Sequence, residues 1–348
     1  MGCIHWFYGR WTRSRVLSIA AGALATAASM AAPSYAGTVT FGSGSNVFNM
    51  EFVTIGNPNN LADTTGSPNP AGSVGYTYGI GKFEVSEDMI TKYNANFGTA
   101  NSLAITKDTR GTAKPATNVS WNEAARFVNW LNTSTGNQAA YKFTTSGVND
   151  DIALWASGEA GYDASNPYRN SLAKYVLPSY NEWYKAAYYD PNKSGGAGYR
   201  DYATGSDSAP AVVASGTGTG ANGNNEAVYN GQSGPADVNL AGGLSPYGVM
   251  GLGGNAFEWE ESSINLVNSS GSTSRGIRGG SWLNDSYYLR SSVRLDQVPN
   301  HQDVAYAYII GFRVASLSSD AVVPEPSMMV IGTLFGLGGL VAERRLRK

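Results

Sequence analysis

The chain has 348 residues, 42% of them hydrophobic and 14% charged, which is enough for one large domain or two small ones around a real core. Its formal net charge is −2, so the strongly basic balance that marks a nucleic-acid partner is missing. One cysteine, Cys3, and two histidines, His5 and His301, exclude a disulfide framework and any cluster of soft or imidazole metal ligands.

Residues 1–36 carry Arg10, Arg13 and Arg15, an apolar run from Val16 to Ala32, and then Ser34-Tyr35-Ala36. That is the layout of a secretory signal peptide, with cleavage expected after Ala36. A single membrane anchor is the alternative. Cys3 lies within this segment, so the mature chain holds no thiol for a nucleophile or a metal.

Farther on, a strand-like "YTYGIGKFEV" leads into "SEDMITKYNANF", a helix candidate over Ser86–Phe97. In "NVSWNEAARFVNWLN" Ser120 and Glu123 form a capping box, and Ala124, Phe127, Val128 and Leu131 recur at helical spacing, which predicts a helix over Trp121–Leu131. "LPSYNEWYKAAYYDP" repeats that logic with Ser179 and Glu182, buries Trp183, Ala186 and Ala187, and closes at Pro191. Residues 192–225 are rich in Gly, Ser, Asn and Ala and cannot bury enough apolar surface to order themselves. They read as a long surface excursion, with an interdomain linker as the alternative.

At the far end Val323-Pro324-Glu325-Pro326 precedes the apolar segment 327–342 and then Arg344, Arg345, Arg347 and Lys348. The segment is short for a spanning helix, although the basic residues beyond it suit the positive-inside rule. These three parts resemble the PEP-CTERM sorting signal of Gram-negative bacteria. The resemblance implies export, transient retention in the inner membrane through residues 327–342, processing by an exosortase, and delivery to the cell surface or extracellular matrix. With both ends set aside, 17 basic residues face 24 acidic ones over 37–322, a net of about −7, so nucleic acid is not an expected partner.

The segments "KPATNVSWNEAARFVNWLN", "YVLPSYNEWYKAAY", "SPYGVMGLGGNAFEWEES", "RGIRGGSWLNDSYYLRSSVR" and "GFRVAS" resemble, in this order, the signatures of the formylglycine-generating enzyme and sulfatase-modifying-factor family. The resemblance covers roughly residues 48–317 within one domain, 37–320. It implies an α+β fold related to the C-type lectin core, low in regular secondary structure, with short twisted strands, a few helices and long loops.

Sulfatase-activating members carry two copper-binding cysteines, at positions that fall on Asn284 and Leu289 here. Leucine cannot ligate a metal and an Asn amide suits copper(I) poorly, so oxidase chemistry of that type is not expected. An iron triad of three histidines cannot be built either, and no copper, iron or zinc is expected. His301 reads as a loop residue, since no nucleophile-elbow sequence accompanies it.

A structural calcium site in the family falls on the carbonyls of Gly254 and Ala256 and the side chain of Glu258, but a further Asn ligand is replaced by Gly251. Oxygen donors from a tight turn suit Ca²⁺. The bland reading is a turn at Gly253-Gly254 with Phe257 and Trp259 packed inside.

In "RGGSWLNDSYYLRSSVR" the groove candidates are Trp282, Asn284, Asp285, Arg290 and Arg294. The arginines can clamp a carboxylate or sulfated sugar, or they can pin loops through carbonyls and acids such as Glu258. The leading expectation is an exported surface or matrix protein that binds polysaccharide or peptide in a groove of Tyr and Trp. The alternatives are an enzyme working through carboxylates (Asp285, Glu258, Glu260, Glu261) and a purely structural matrix protein.

Overall fold

Two capping boxes start the longest helices. In the computed structural model, which describes residues 37–301 and 309–317, α1 spans Glu87–Tyr93, α2 Trp121–Thr133 and α3 Tyr180–Tyr188. The Ser120 and Ser179 hydroxyls accept from the amides of Glu123 and Glu182, whose carboxylates accept in return from the cap amides at 2.9 and 2.6 Å. Ser86 caps α1 with its hydroxyl alone, accepting from the Met89 amide. α1 is shorter than expected, because residues Asn94–Gly98 widen into a π turn. α3 ends at Tyr188, before Pro191, because Tyr189 and Asp190 turn into a strand. Among the described residues no helix is long and apolar enough to cross a membrane.

The strands divide between two main sheets. β1 (Gly37–Phe41), β2 (Phe48–Ile55), β3 (Tyr78–Gly81) and β4 (Tyr175–Val176) belong to a five-stranded sheet. β2 alternates buried Phe48, Met50 and Phe52 with exposed Asn49 and Glu51, the period-two pattern of a sheet with one dry face. β5 (Tyr189–Asp190) pairs with β6 (Gly198–Tyr199), and β7 (Ala211–Val212) with β8 (Glu226–Ala227), so the excursion is tied down at two places.

β9 (Phe257–Ser263) is buried along its whole length in a sheet with β10 (Arg275–Arg278) and β11 (Leu295–Gln297) on one side and β12 (Ile310–Gly311) on the other. β13 (Ala315–Ser316) returns to the first sheet and sits between β3 and β4. The main core gathers α2, β2, β9 and β13 around Trp121, Phe127, Trp259 and Phe312. The result is the expected α+β architecture of short strands, few helices and long loops. The signal-peptide and sorting-signal expectations lie on residues outside those described.

Candidate functional site around Arg290

β10 ends at Gly279-Gly280, and both glycines are required by geometry. Their φ values are +93° and +73°, and a Cβ would fall 2.8 Å from the Leu252 carbonyl at one position and 2.7 Å from Leu289 Cδ1 at the other. Beyond the turn Trp282 is 2% exposed, with the Arg110 guanidinium 4.9 Å from its ring centre. Asn284 Oδ1 accepts from the Ser281 amide and hydroxyl at 2.9 and 2.6 Å. Asp285 caps a short 3-10 turn, Ser286–Leu289, by accepting from the Tyr287 amide. Leu289 is buried with Tyr202, Ala227 and Tyr229. Asn284 and Leu289 are thus a loop position and a core position.

The acids of "FEWEES" are structural. Glu258 takes the Arg313 guanidinium on both oxygens and the Trp183 indole N–H at 2.7 Å. Glu260 is shared by Arg278 and Arg294 at 2.5 and 2.7 Å. Glu261 holds the Arg169 Nε at 2.7 Å and the Tyr141 hydroxyl at 2.9 Å. All three carboxylates are fully buried, and a buried carboxylate persists only with such partners. Arg294 adds bonds to the carbonyls of Ile264, Ser262 and Ser263, so it pins the sheet. Trp282 and Arg294 therefore leave the groove set proposed from sequence, and Glu258, Glu260 and Glu261 have no oxygen spare for acid–base work.

The calcium donor set does not fit the ion either. A cation at Gly254, Ala256 and Glu258 would have to displace Arg313 from Glu258. The place of the missing side chain at Gly251 is taken by a second acid: a Cβ there would lie 2.9 Å from Glu84 Oε2. Both Glu84 oxygens accept from the Asn255 amide, at 3.0 and 2.9 Å. Burial first, and the neighbouring Glu258 charge second, raise the Glu84 carboxyl to about 8, with Arg313 and the Asn255 bond opposing. Among the described residues no group of three or more His, Cys, Asp or Glu is arranged to hold a metal.

Arg290 behaves differently from Arg294. Its side chain enters an open cavity of about 630 Å³ walled by Thr65, by Asp201, Tyr202, Asp207 and Ser208 from the excursion, and by Arg290, Ser291 and Ser292. That volume is within the range of ligand sites, roughly 300–1,000 Å³. The wall is held by the backbone: Tyr202 bridges Arg290, the Ser291 amide donates to Asp201 O at 2.9 Å, and Ser67 N donates to Ser291 O. Arg290 Nε donates to the Tyr202 hydroxyl at 3.1 Å. Asp207 is neutralised by Arg200 at 3.0 Å and Lys193 at 3.3 Å.

A smaller cavity of about 140 Å³ is lined by Asn284, Tyr288, Phe257, Ile277 and Leu295 among others. The large cavity is hydroxyl-rich and charged, where a groove of Tyr and Trp was expected. Of the described tryptophans, Trp121, Trp130, Trp183, Trp259 and Trp282 are used in the core, with the indoles of Trp121, Trp183 and Trp259 bonded to Glu260 O, Glu258 and Val119 O.

A family model described as the sulfatase-modifying factor enzyme 1-like domain matches residues 27–317. The chain belongs to that family. The structure is similar to Treponema denticola variable protein 1, at 22% identity and TM-score 0.54 over 80% of this chain and 98% of that one. It is also similar to CarF, at 21% identity and TM-score 0.53 over 77% and 98%. Identities this low show a shared fold. No curated protein matches the chain.

Within the family frame, the cavity follows immediately after Leu289, so it borders the segment on which the resemblance places the reactive cysteines. Of the sequence candidates, Arg290 enters this cavity, Asn284 lines the small one and Asp285 caps the turn between them. Sequence reasoning missed Thr65, Asp201, Tyr202, Asp207 and Ser208. The one local signal was "YRDY", Tyr199–Tyr202, a knot of aromatic and charged residues in an otherwise Gly- and Ser-rich run.

Proposed function

We propose that the protein is an exported binding protein that holds a hydroxyl-rich polymer, an extracellular polysaccharide, in the Arg290 cavity, and that it does not carry out thiol- or iron-based oxidation. The observation that carries this reading is the cavity itself, walled by hydroxyls, two aspartates and one arginine, with neither thiol nor imidazole among its lining residues. Sugar hydroxyls both donate and accept, so a wall of Ser, Thr, Asp and Arg groups matches them. Paired carboxylates for glycoside hydrolysis are not at hand, because Asp207 is spent on Arg200 and Lys193 and the three glutamates of β9 are buried in ion pairs.

Export, exosortase processing and a surface or matrix destination rest on the two terminal segments. They predict Gly37 as the first residue of the mature protein, which mass spectrometry reads directly.

The binding reading is tested by passing the full-length protein over immobilised polysaccharides, neutral and acidic, beside an Asp201→Asn, Ser208→Ala variant. Retention that the variant weakens is the expected result. A protein retained on none of them overturns the reading.

A further inference from the structure

The nine described arginines are not used alike. Eight have at least one terminal nitrogen bonded to a carboxylate or a backbone carbonyl, as in Arg169, Arg278 and Arg313. Arg126 and Arg275, which lack an acid, still bond carbonyls and lie over Phe143 and over Trp121 and Tyr168. At Arg290 the one side-chain hydrogen bond is from Nε to Tyr202, and the guanidinium lies 5.9 Å from the Tyr287 ring centre, so among the described residues Nη1 and Nη2 of this exposed side chain have no hydrogen-bond acceptor.

Asp201 is the complementary case. Its main chain is fixed by Ser291 and Asp207, while among the described residues its exposed carboxylate accepts no hydrogen bond and forms no ion pair with Arg290 or any other cation. One cavity therefore presents an unspent guanidinium fork and an unspent carboxylate, and its lining also includes the hydroxyl-bearing residues Thr65, Tyr202, Ser208, Ser291 and Ser292.

We infer that the cavity selects a carboxylated sugar, a uronic acid unit of a polysaccharide, whose carboxylate is received by the two terminal nitrogens of Arg290 while Asp201 accepts from ring hydroxyls. This rests on the glycan reading above and narrows it. The guanidinium fork matches a carboxylate in two parallel bonds, and neutral sugars offer it only single hydroxyl acceptors. Asp201 suits a ligand that carries hydroxyl donors next to its charge, as a uronate does. The tyrosine hydroxyl on Nε fixes the plane of the fork before a ligand arrives, which lowers the ordering cost of binding.

The domain as a whole is acidic, about −7 over 37–322, so no broad basic field draws a polyanion in. Recognition is a contact-range event, and affinity for a short uronate oligomer should change little with salt.

The experiment is titration calorimetry of the full-length protein with a galacturonic acid oligomer, its methyl ester, and a sulfated neutral oligomer of the same length. The expected result is at least about tenfold tighter binding of the acid than of the ester, the size of a charged hydrogen bond. That preference should be abolished in Arg290→Gln and only partly kept in Arg290→Lys, with both variants melting like the parent because the side chain is exposed. Equal affinity for acid and ester, or a preference unchanged in Arg290→Gln, overturns the inference and leaves the glycan reading standing. Tighter binding of the sulfated oligomer overturns the carboxylate class. Failure of all three to bind the parent protein, when it is also retained on no immobilised polysaccharide, overturns both.

Discussion

Glu258 and Arg313 show how far a single residue's role depends on partners distant in the chain. The strand period places Glu258 and Glu260 on one face of β9, but nothing local says that Arg313, 55 residues on, fills the first. Removing one partner of such a buried pair leaves an uncompensated charge. Arg313→Ala should therefore cost about 3–5 kcal/mol in chemical denaturation. Since Arg313 already neutralises Glu258, a chelator should leave the melting temperature unchanged, and calorimetry with and without EDTA checks this.

Two buried carboxyls give opposite pH dependences. Burial would raise the Glu182 carboxyl, yet Arg169 and the bonds from Arg169, Tyr76 and the Ser179 amide hold it down at about 2. Its stabilising contribution is present above its unfolded value and lost as pH falls toward 2. Glu84 is raised to about 8, so its contribution is complete below the usual carboxylate range and lost as pH rises through 8. Urea midpoints followed across pH should fall on both limbs, and Glu84→Gln should remove the alkaline one. Arg290 and Arg294 sit four apart, which on a helix would share a face. A 3-10 turn ends at Leu289 and β11 begins at Leu295, so the two side chains diverge, and sequence spacing could not separate them.

At the scale of elements, what was legible was local. The capping boxes of α2 and α3 are read from four consecutive residues each, and Ser179→Ala should cost about 1 kcal/mol by thermal or urea unfolding. The turn at Gly279-Gly280 was not legible, because the need for glycine there comes from Leu252 and Leu289, which its own sequence does not announce. Gly279→Ala brings a Cβ against the Leu252 carbonyl at positive φ, so both strain and clash oppose it, and destabilisation exceeding about 1 kcal/mol is expected in the same assay. The short strands were mostly illegible. Two-residue elements such as β12 and β13 carry no period of their own and exist because longer partners supply the ladder. The excursion was legible as polar and loop-like, but its contribution of Asp201, Tyr202, Asp207 and Ser208 to a ligand wall was not, because that depends on Ser291 and Arg290 about 90 residues later.

Across the whole molecule, the order of strands in the first sheet runs against the order of synthesis. β1, β2 and β3 are made first and β4 next, yet β3 and β4 are joined only through β13, near residue 316. Arg313, the partner of buried Glu258, arrives just before it. A chain that has emerged only as far as α3 or β9 therefore has a split sheet and a buried acid without its cation, and it cannot complete the fold. Closure of contacts so far apart in sequence is slow. The strand that joins the two parts of the first sheet and the cation that answers buried Glu258 are thus both supplied by one short segment at the end of the described domain, residues 313–316.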